Sequence, residues 1–229
     1  MKKQATKIKI CGLTEEKEAD YLNQIHADFA GMVVFFPKSK RNISLDQAKK
    51  IKAALLPEIK TVAVTVSPTL AQISQIAEAG FDLIQIHGDP ADLDIKTAKS
   101  ICEYTNKLSL PILKAFNVSD IDSYNCWQSC PSVAGFVFDA AKPGSGKTFD
   151  WTLLKDLPRS NKLFMLAGGL MPENVSNAIC FLHPDGVDVS SGVEFIEKDR
   201  PGKDPYRIQA FAEAVQLADK QLTSKHLSI

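Results

Sequence analysis

Eight short runs of apolar, β-branched-rich residues recur along the chain, and they limit its fold more than any other feature. They cover residues 8–11, 29–35, 61–66, 83–86, 111–116, 134–138, 163–166 and 187–189. Most lack polar alternation, as parallel strands buried on both faces do. Helix-sized segments separate them. Thr14 is placed to cap a helix with Glu15 and Glu16 in its first turn, at the positive end of the dipole. Ser44 and Gln47 have capping-box spacing, with Ala48, Ile51 and Leu55 following at helical intervals. Ser67-Pro68 sets a cap before a proline at a first helical position, with Leu70, Ile73 and Ala77 on one face. Another helix starts at Pro172-Glu173-Asn174-Val175, and residues 205–222 read as the last. Segments 90–107, 118–130 and 150–157 carry weaker helical signals.

Eight strands, each followed by a helix-sized segment, predict an α/β fold: one closed (β/α)8 barrel, the TIM barrel. An open doubly wound sheet is the alternative, but it rarely needs eight strands within 229 residues. The expectation is a single domain, 1–229, with a polar C-terminal tail over about 218–229. Lys+Arg 27 balances Asp+Glu 27, so no global field draws nucleic acid or an anionic membrane. The lysine-rich N-terminus lacks the apolar core of a secretory signal, and no run approaches the roughly 20 apolar residues of a membrane span. The five cysteines (11, 102, 126, 130, 180) are odd in number, and no second Cys/His pair stands at zinc spacing. A reduced cytoplasmic chain without a metal site is expected, with the last four cysteines structural.

Barrels of this kind place their chemistry at the C-terminal ends of the strands. There the first strand ends in Cys11-Gly12, the fourth in His87-Gly88 and the sixth in Asp139. The seventh runs into Ala167-Gly168-Gly169, the eighth into Ser190-Ser191-Gly192, and Lys38-Ser39-Lys40-Arg41 follows the second. Glycines after strands seven and eight let backbone N–H groups approach an anion, although tight turns use them as well. Cys11 reads either as a small buried hydrophobe or as a thiol base. Asp139 reads as a turn cap or an acid, and His87 as a satisfier of local backbone or a site residue. The 38–41 cluster is ordinarily a solvated loop, but Arg41 offers a planar fork suited to a carboxylate.

Residues 142–151, KPGSGKTFDW, raise a different possibility, since Gly-Lys-Thr ends a nucleotide-binding P-loop. That motif needs a glycine five residues before Gly146, where Ala141 stands, and it must open a helix directly. Here Phe149 intervenes and Asp150 has the character of a cap, so the stretch is a loop after strand six.

Taken together, KICGLT (9–14), GMVVFFPKSKRNIS (31–44), IQIHG (84–88), GSGKTFDW (144–151), LAGGLMPENV (166–175) and GVDVSSGVE (186–194) resemble the phosphoribosylanthranilate isomerase family over nearly the whole chain. The resemblance implies the (β/α)8 barrel and the Amadori rearrangement of N-(5′-phosphoribosyl)anthranilate in tryptophan biosynthesis, with no cofactor or metal. It further implies Cys11 as general base, Asp139 as general acid and Arg41 on the anthranilate carboxylate. His87 joins the substrate site. The phosphate falls to Gly144, Ser145 and Gly146, to Gly168 and Gly169, and to Ser190, Ser191 and Gly192. The partner is a small-molecule substrate, neither nucleic acid nor membrane, and a monomer is expected over a homodimer. The chain departs from the family at Thr65-Val66-Ser67-Pro68, where a phenylalanine and an asparagine are usual, at Phe138, and at Pro143. The related histidine-pathway isomerase carries an aspartate at the end of strand one, where this chain has Cys11, and needs two phosphate sites. A barrel that only binds a phosphorylated metabolite stands as the non-catalytic alternative.

Overall fold

All eight runs become barrel strands in the computed structural model, which describes residues 5–88, 94–117, 124–139, 151–155, 157–197 and 200–226. The strands are β1 Lys7–Cys11, β2 Phe29–Val34, β3 Lys60–Val66 and β4 Leu83–His87, then β5 Ile112–Asn117, β6 Val133–Asp139, β7 Leu163–Leu166 and β8 Gly186–Val189. Each pairs in parallel with its chain neighbour, and β8 returns to β1, closing the sheet. The second run stops at Val34 because Phe35 turns into the left-handed region at φ 58°. A two-residue strand, Asn42–Ile43, runs parallel beside the end of β2.

Side chains alternate between two cores, as the period of two along a strand requires. The barrel interior holds Phe29, Val62, Val64, Leu113, Val137 and Met165. Between sheet and helices lie Ile10, Met32, Ile84 and Phe136, packed with Leu22, Ile51, Ile73, Trp127 and Phe211. Lys9, Gln85 and Asp188 are also buried, at interior positions of their strands. These three polar groups sit directly below the mouth of the barrel.

The helices are α1 Lys17–Gln24, α2 Leu45–Ala54, α3 Leu70–Glu78, α4 Ile95–Lys107, α5 Tyr124–Gln128, α6 Val175–Leu182 and α7 Pro205–His226, with a 3-10 turn at Trp151–Leu154. The three weak segments accordingly yield one full helix, one of five residues and a single turn. Several predicted caps shift. Thr14 does not cap α1; its N–H donates to Glu18 Oε2 at 2.6 Å, beside that of Glu15 at 3.1 Å. Glu18 is wholly buried and also accepts from the Lys203 N–H at 2.6 Å, so one carboxylate ties the loop after β1 to the segment after β8. Helix α3 starts past Ser67-Pro68, because Thr69 and Gln72 form a reciprocal capping box. At α2 the expected Ser44 cap is present, accepting from Gln47 N–H at 3.1 Å.

Residues 218–226 continue α7 rather than forming a tail. Ala218 and Leu222 are buried, and Asp219 accepts from the Thr6 N–H at 2.8 Å and hydroxyl at 2.7 Å. The polar residues there occupy the solvent side of an amphipathic helix, which composition alone reads as a tail. Cys102 on α4 and Cys130 after α5 form a disulfide, Cα atoms 6.2 Å apart, contrary to the expectation of a fully reduced chain. They lie 28 positions apart in sequence, and only the packing of α4 against α5 brings them together. Among the described residues, no helix is long and apolar enough to cross a membrane, and no cluster of three His, Cys, Asp or Glu side chains could hold a metal.

Candidate active site

The C-terminal ends of the strands surround a cleft that gathers most of the residues expected from sequence. Cys11 from β1, Arg41 from the loop after β2, His87 from β4 and Asp139 from β6 line it. Gly168 and Gly169 after β7 and Ser190 and Ser191 after β8 complete the wall. Gly192 does not reach it: a Cβ there would lie 1.9 Å from the Leu170 carbonyl oxygen, so this glycine packs the β8 loop against the β7 loop. Gly144, Ser145 and Gly146 lie outside the described residues.

Both glycines of the β7 loop adopt left-handed backbone, φ 81° and 66°, a conformation open to residues without a Cβ. The β8 loop turns immediately into a 3-10 segment, Ser191–Val193. Two tight turns are thereby held side by side at the rim, the arrangement that these barrels use for a phosphate.

Beneath the rim lies an ion pair that sequence reasoning passed over. Lys9 and Asp188 are register partners on β1 and β8, and Nζ stands 2.8 Å from Oδ2, with both side chains buried. Burial would lower the lysine, but Asp188 and Cys11 together carry it above its usual range. For Asp188 burial prevails over Lys9 and Lys203 and pushes the carboxyl up, and its Oδ1 has no hydrogen-bond partner. A signal was available: each charge interrupts a run that should be apolar, Ile8-Lys9-Ile10 and Val187-Asp188-Val189.

Cys11 feels both charges. Burial pushes its thiol up, Lys9 and Lys203 pull it down, Asp188 adds to the rise, and the net direction is upward. The same burial, with Lys114 and Lys9 nearby, brings His87 down to about 3, so its ring is neutral at any ordinary pH. His87 Nε2 lies 2.7 Å from the Gln85 amide nitrogen, which donates to it and leaves the ring proton on Nδ1. Arg41 is anchored by Glu194, which accepts from its Nε at 2.5 Å and from Lys40 Nζ at 2.8 Å. Burial would raise Glu194, but Arg41, Lys203 and Lys40 hold it down at about 2. The arginine that the sequence offered for a carboxylate ligand is thus fixed by a carboxylate from the loop after β8.

A model of the N-(5'phosphoribosyl)anthranilate (PRA) isomerase family matches residues 8–214. The N-(5'-phosphoribosyl)anthranilate isomerase of Acetivibrio thermocellus is 36% identical over 219 residues, 93% of this chain and 97% of that protein. The crystal structure of phosphoribosyl anthranilate isomerase from Thermotoga maritima superposes with a TM-score of 0.74 at 33% identity, covering 92% of this chain and 98% of that one. A structure of such an isomerase in complex with reduced 1-(o-carboxyphenylamino)-1-deoxyribulose 5-phosphate gives a TM-score of 0.70 at 32% identity, over 92% and 98% of the two chains. By its sequence, its closed parallel barrel and the match over residues 8–214, this chain belongs to the N-(5'-phosphoribosyl)anthranilate isomerase family.

Proposed function

We infer that the protein is an N-(5′-phosphoribosyl)anthranilate isomerase of tryptophan biosynthesis. It converts its substrate into 1-(2-carboxyphenylamino)-1-deoxyribulose 5-phosphate by an Amadori rearrangement. The observation that carries this reading is the presence of Cys11 and Asp139 on one cleft, with Arg41 and the glycine loops at its rim. The β1 and β6 ends lie three strands apart around the ring, which gives an acid and a base separate approaches to one small aminosugar.

In this mechanism protonated Asp139 donates to the ribose ring oxygen, and the ring opens to a Schiff base. Cys11 as thiolate then takes the C2′ proton, and the resulting enolamine tautomerises to the ketone. Arg41 receives the anthranilate carboxylate through charge-assisted hydrogen bonds. The turns at Gly168-Gly169 and Ser190-Ser191, with Gly144, Ser145 and Gly146, hold the phosphate, while neutral His87 faces the sugar. Both proton transfers run through side chains, so the reading assigns no cofactor or metal. Every group it uses comes from one chain, and we take the enzyme to act as a monomer.

The test is direct. Addition of the enzyme to phosphoribosylanthranilate should extinguish the anthranilate-type fluorescence, and folded protein that leaves the signal unchanged would end this assignment. Cys11→Ser and Asp139→Asn should each lower kcat by roughly 10²–10⁴-fold while binding of a product analogue persists. Near-normal kcat in either variant would remove that residue from its role.

A further inference from the structure

Lys9 is a buried ammonium that the mechanism above leaves without work. Its position is specific. Cys11 is the register partner of Gly31 on β2, and a Cβ built on Gly31 would lie 3.0 Å from Cys11 Sγ and 3.1 Å from Lys9 Nζ. Both atoms therefore converge on the space that this glycine leaves open, and any side chain at residue 31 would be driven between them. Asp188 accepts from the same ammonium at 2.8 Å and holds it in the buried interior. We propose that Lys9 is the positioning residue of the catalytic thiol: its ammonium, held by Asp188 and admitted by Gly31, stabilises Cys11 as the thiolate that removes the C2′ proton.

The chemical need is plain. A thiol taken out of water resists ionisation, and only a nearby cation restores the thiolate near neutral pH. Three charged groups act on Cys11: Lys9 from its own strand, Asp188 from β8 and Lys203 from the segment before α7. Lys203 is committed elsewhere, donating to the Ser190 carbonyl at 3.1 Å and pairing with Glu194 at 3.4 Å. That leaves Lys9 as the cation next to sulfur. In the resting enzyme the thiol gives its proton to water in the open cleft, and Lys9 keeps its own throughout. A buried charge pair is tolerated here because the site needs the ammonium; an apolar pair would pack at least as well.

The inference rests on Cys11 as the base, so its test reads the thiol rather than turnover. The rate of iodoacetamide modification of the Cys11 peptide, followed by mass spectrometry against pH, reports the thiolate fraction directly. In Lys9→Met the profile should move up by a unit or more, a loss of at least about tenfold in rate at pH 7.5, with the same plateau at high pH. In the isomerase assay kcat should fall with KM nearly unchanged, and the limb of its pH profile set by thiol ionisation should move with the alkylation profile. Lys9→Met/Asp188→Asn guards against misfolding around an unpaired carboxylate and should also move the profile upward, by less. If neither variant shifts the alkylation profile, the pairing is wrong, whatever Cys11 does in catalysis. If the profiles shift but Cys11→Ser stays active, the pairing stands and the base assignment falls.

Discussion

Asp82 and Asp188 are the same side chain held in opposite states, one at the foot of the barrel and one inside its catalytic half. Asp82 precedes β4, and its Oδ2 accepts from the Thr61 N–H and hydroxyl, each at 2.8 Å, while Lys60 Nζ approaches Oδ1 at 3.2 Å. Partial burial works against it, but these donors prevail and its carboxyl is held below the usual range. Asp28 and Asp185 repeat the device before β2 and β8, accepting at 2.8 Å from the N–H groups of Ile8 and Phe164. Each of these aspartates fastens the start of one strand to the start of the next. Asp188 has a single donor in Lys9, almost no solvent, and one oxygen without a partner. Its carboxyl is pushed up instead. An aspartate with three donors and some water stabilises its charged form; one with a single donor and none bears a net desolvation cost, which a stability role alone does not explain.

The largest effect should come from removing the charges at the catalytic end. Lys9→Met/Asp188→Asn should lower kcat by up to about tenfold, because the thiol loses the cation that ionises it while the opposing carboxylate is removed as well. Its Tm should change little, since a buried ion pair returns little net stability once the desolvation of both charges is counted. Paired calorimetry and initial rates read both quantities on one preparation. A Tm that falls by several degrees along with kcat would place Asp188 with Asp82, as a structural clasp.

At the foot of the barrel the expectation reverses. Asp82→Ala leaves the Thr61 N–H without its acceptor and should cost about 1–2 kcal/mol, allowing for the solvent that still reaches the carboxylate. Turnover should not change. Because the folded-state pKa of Asp82 lies below that of the unfolded chain, its contribution is complete above the unfolded value of roughly 3.9 and is lost as pH falls through the range below it. Denaturant titrations should therefore show wild type and variant furthest apart near neutrality and converging below about pH 4. A gap that persists at low pH would mean that packing, not the carboxylate, fastens these strands.

This division explains what could be read from the sequence. All eight strands were visible because a strand buried on both faces must be apolar, and that constraint acts locally. Cys11, Asp139, His87 and the glycine loops were legible because each stands at the end of such a run or just past it. Lys9 and Asp188 were not, because each lies within a strand, 179 positions from the other, and their pairing exists only once β8 closes on β1. Glu194 was hidden for the same reason: nothing near it in sequence announces that its partner is Arg41, 153 positions away. The boundary of α7 was hidden because its last turns are polar on the outside, and the contact that holds them, Asp219 with Thr6, joins residues 213 positions apart.

The backbone repeats the contrast on a smaller scale. At the foot of the barrel left-handed residues follow helices, as His26, Gly80, Ser109 and His183 do, where such a conformation ends a helix cheaply. At the catalytic end Phe35 and Ser67 take it directly after β2 and β3, φ 58° and 43°, with no helix to terminate. Ser67 belongs to the strand end where the family usually carries an asparagine, and asparagine is the side chain that bears left-handed backbone best after glycine. Ser67→Asn should thus relieve a small local strain and stabilise the fold by about 0.5 kcal/mol, a Tm rise of roughly 1–2 °C for a chain of this size. Ser67 is not among the residues lining the cleft, so kcat and KM should hold. A lower Tm in Ser67→Asn would show that the hydroxyl is worth more here than the backbone geometry, and that this departure at the rim was selected rather than tolerated.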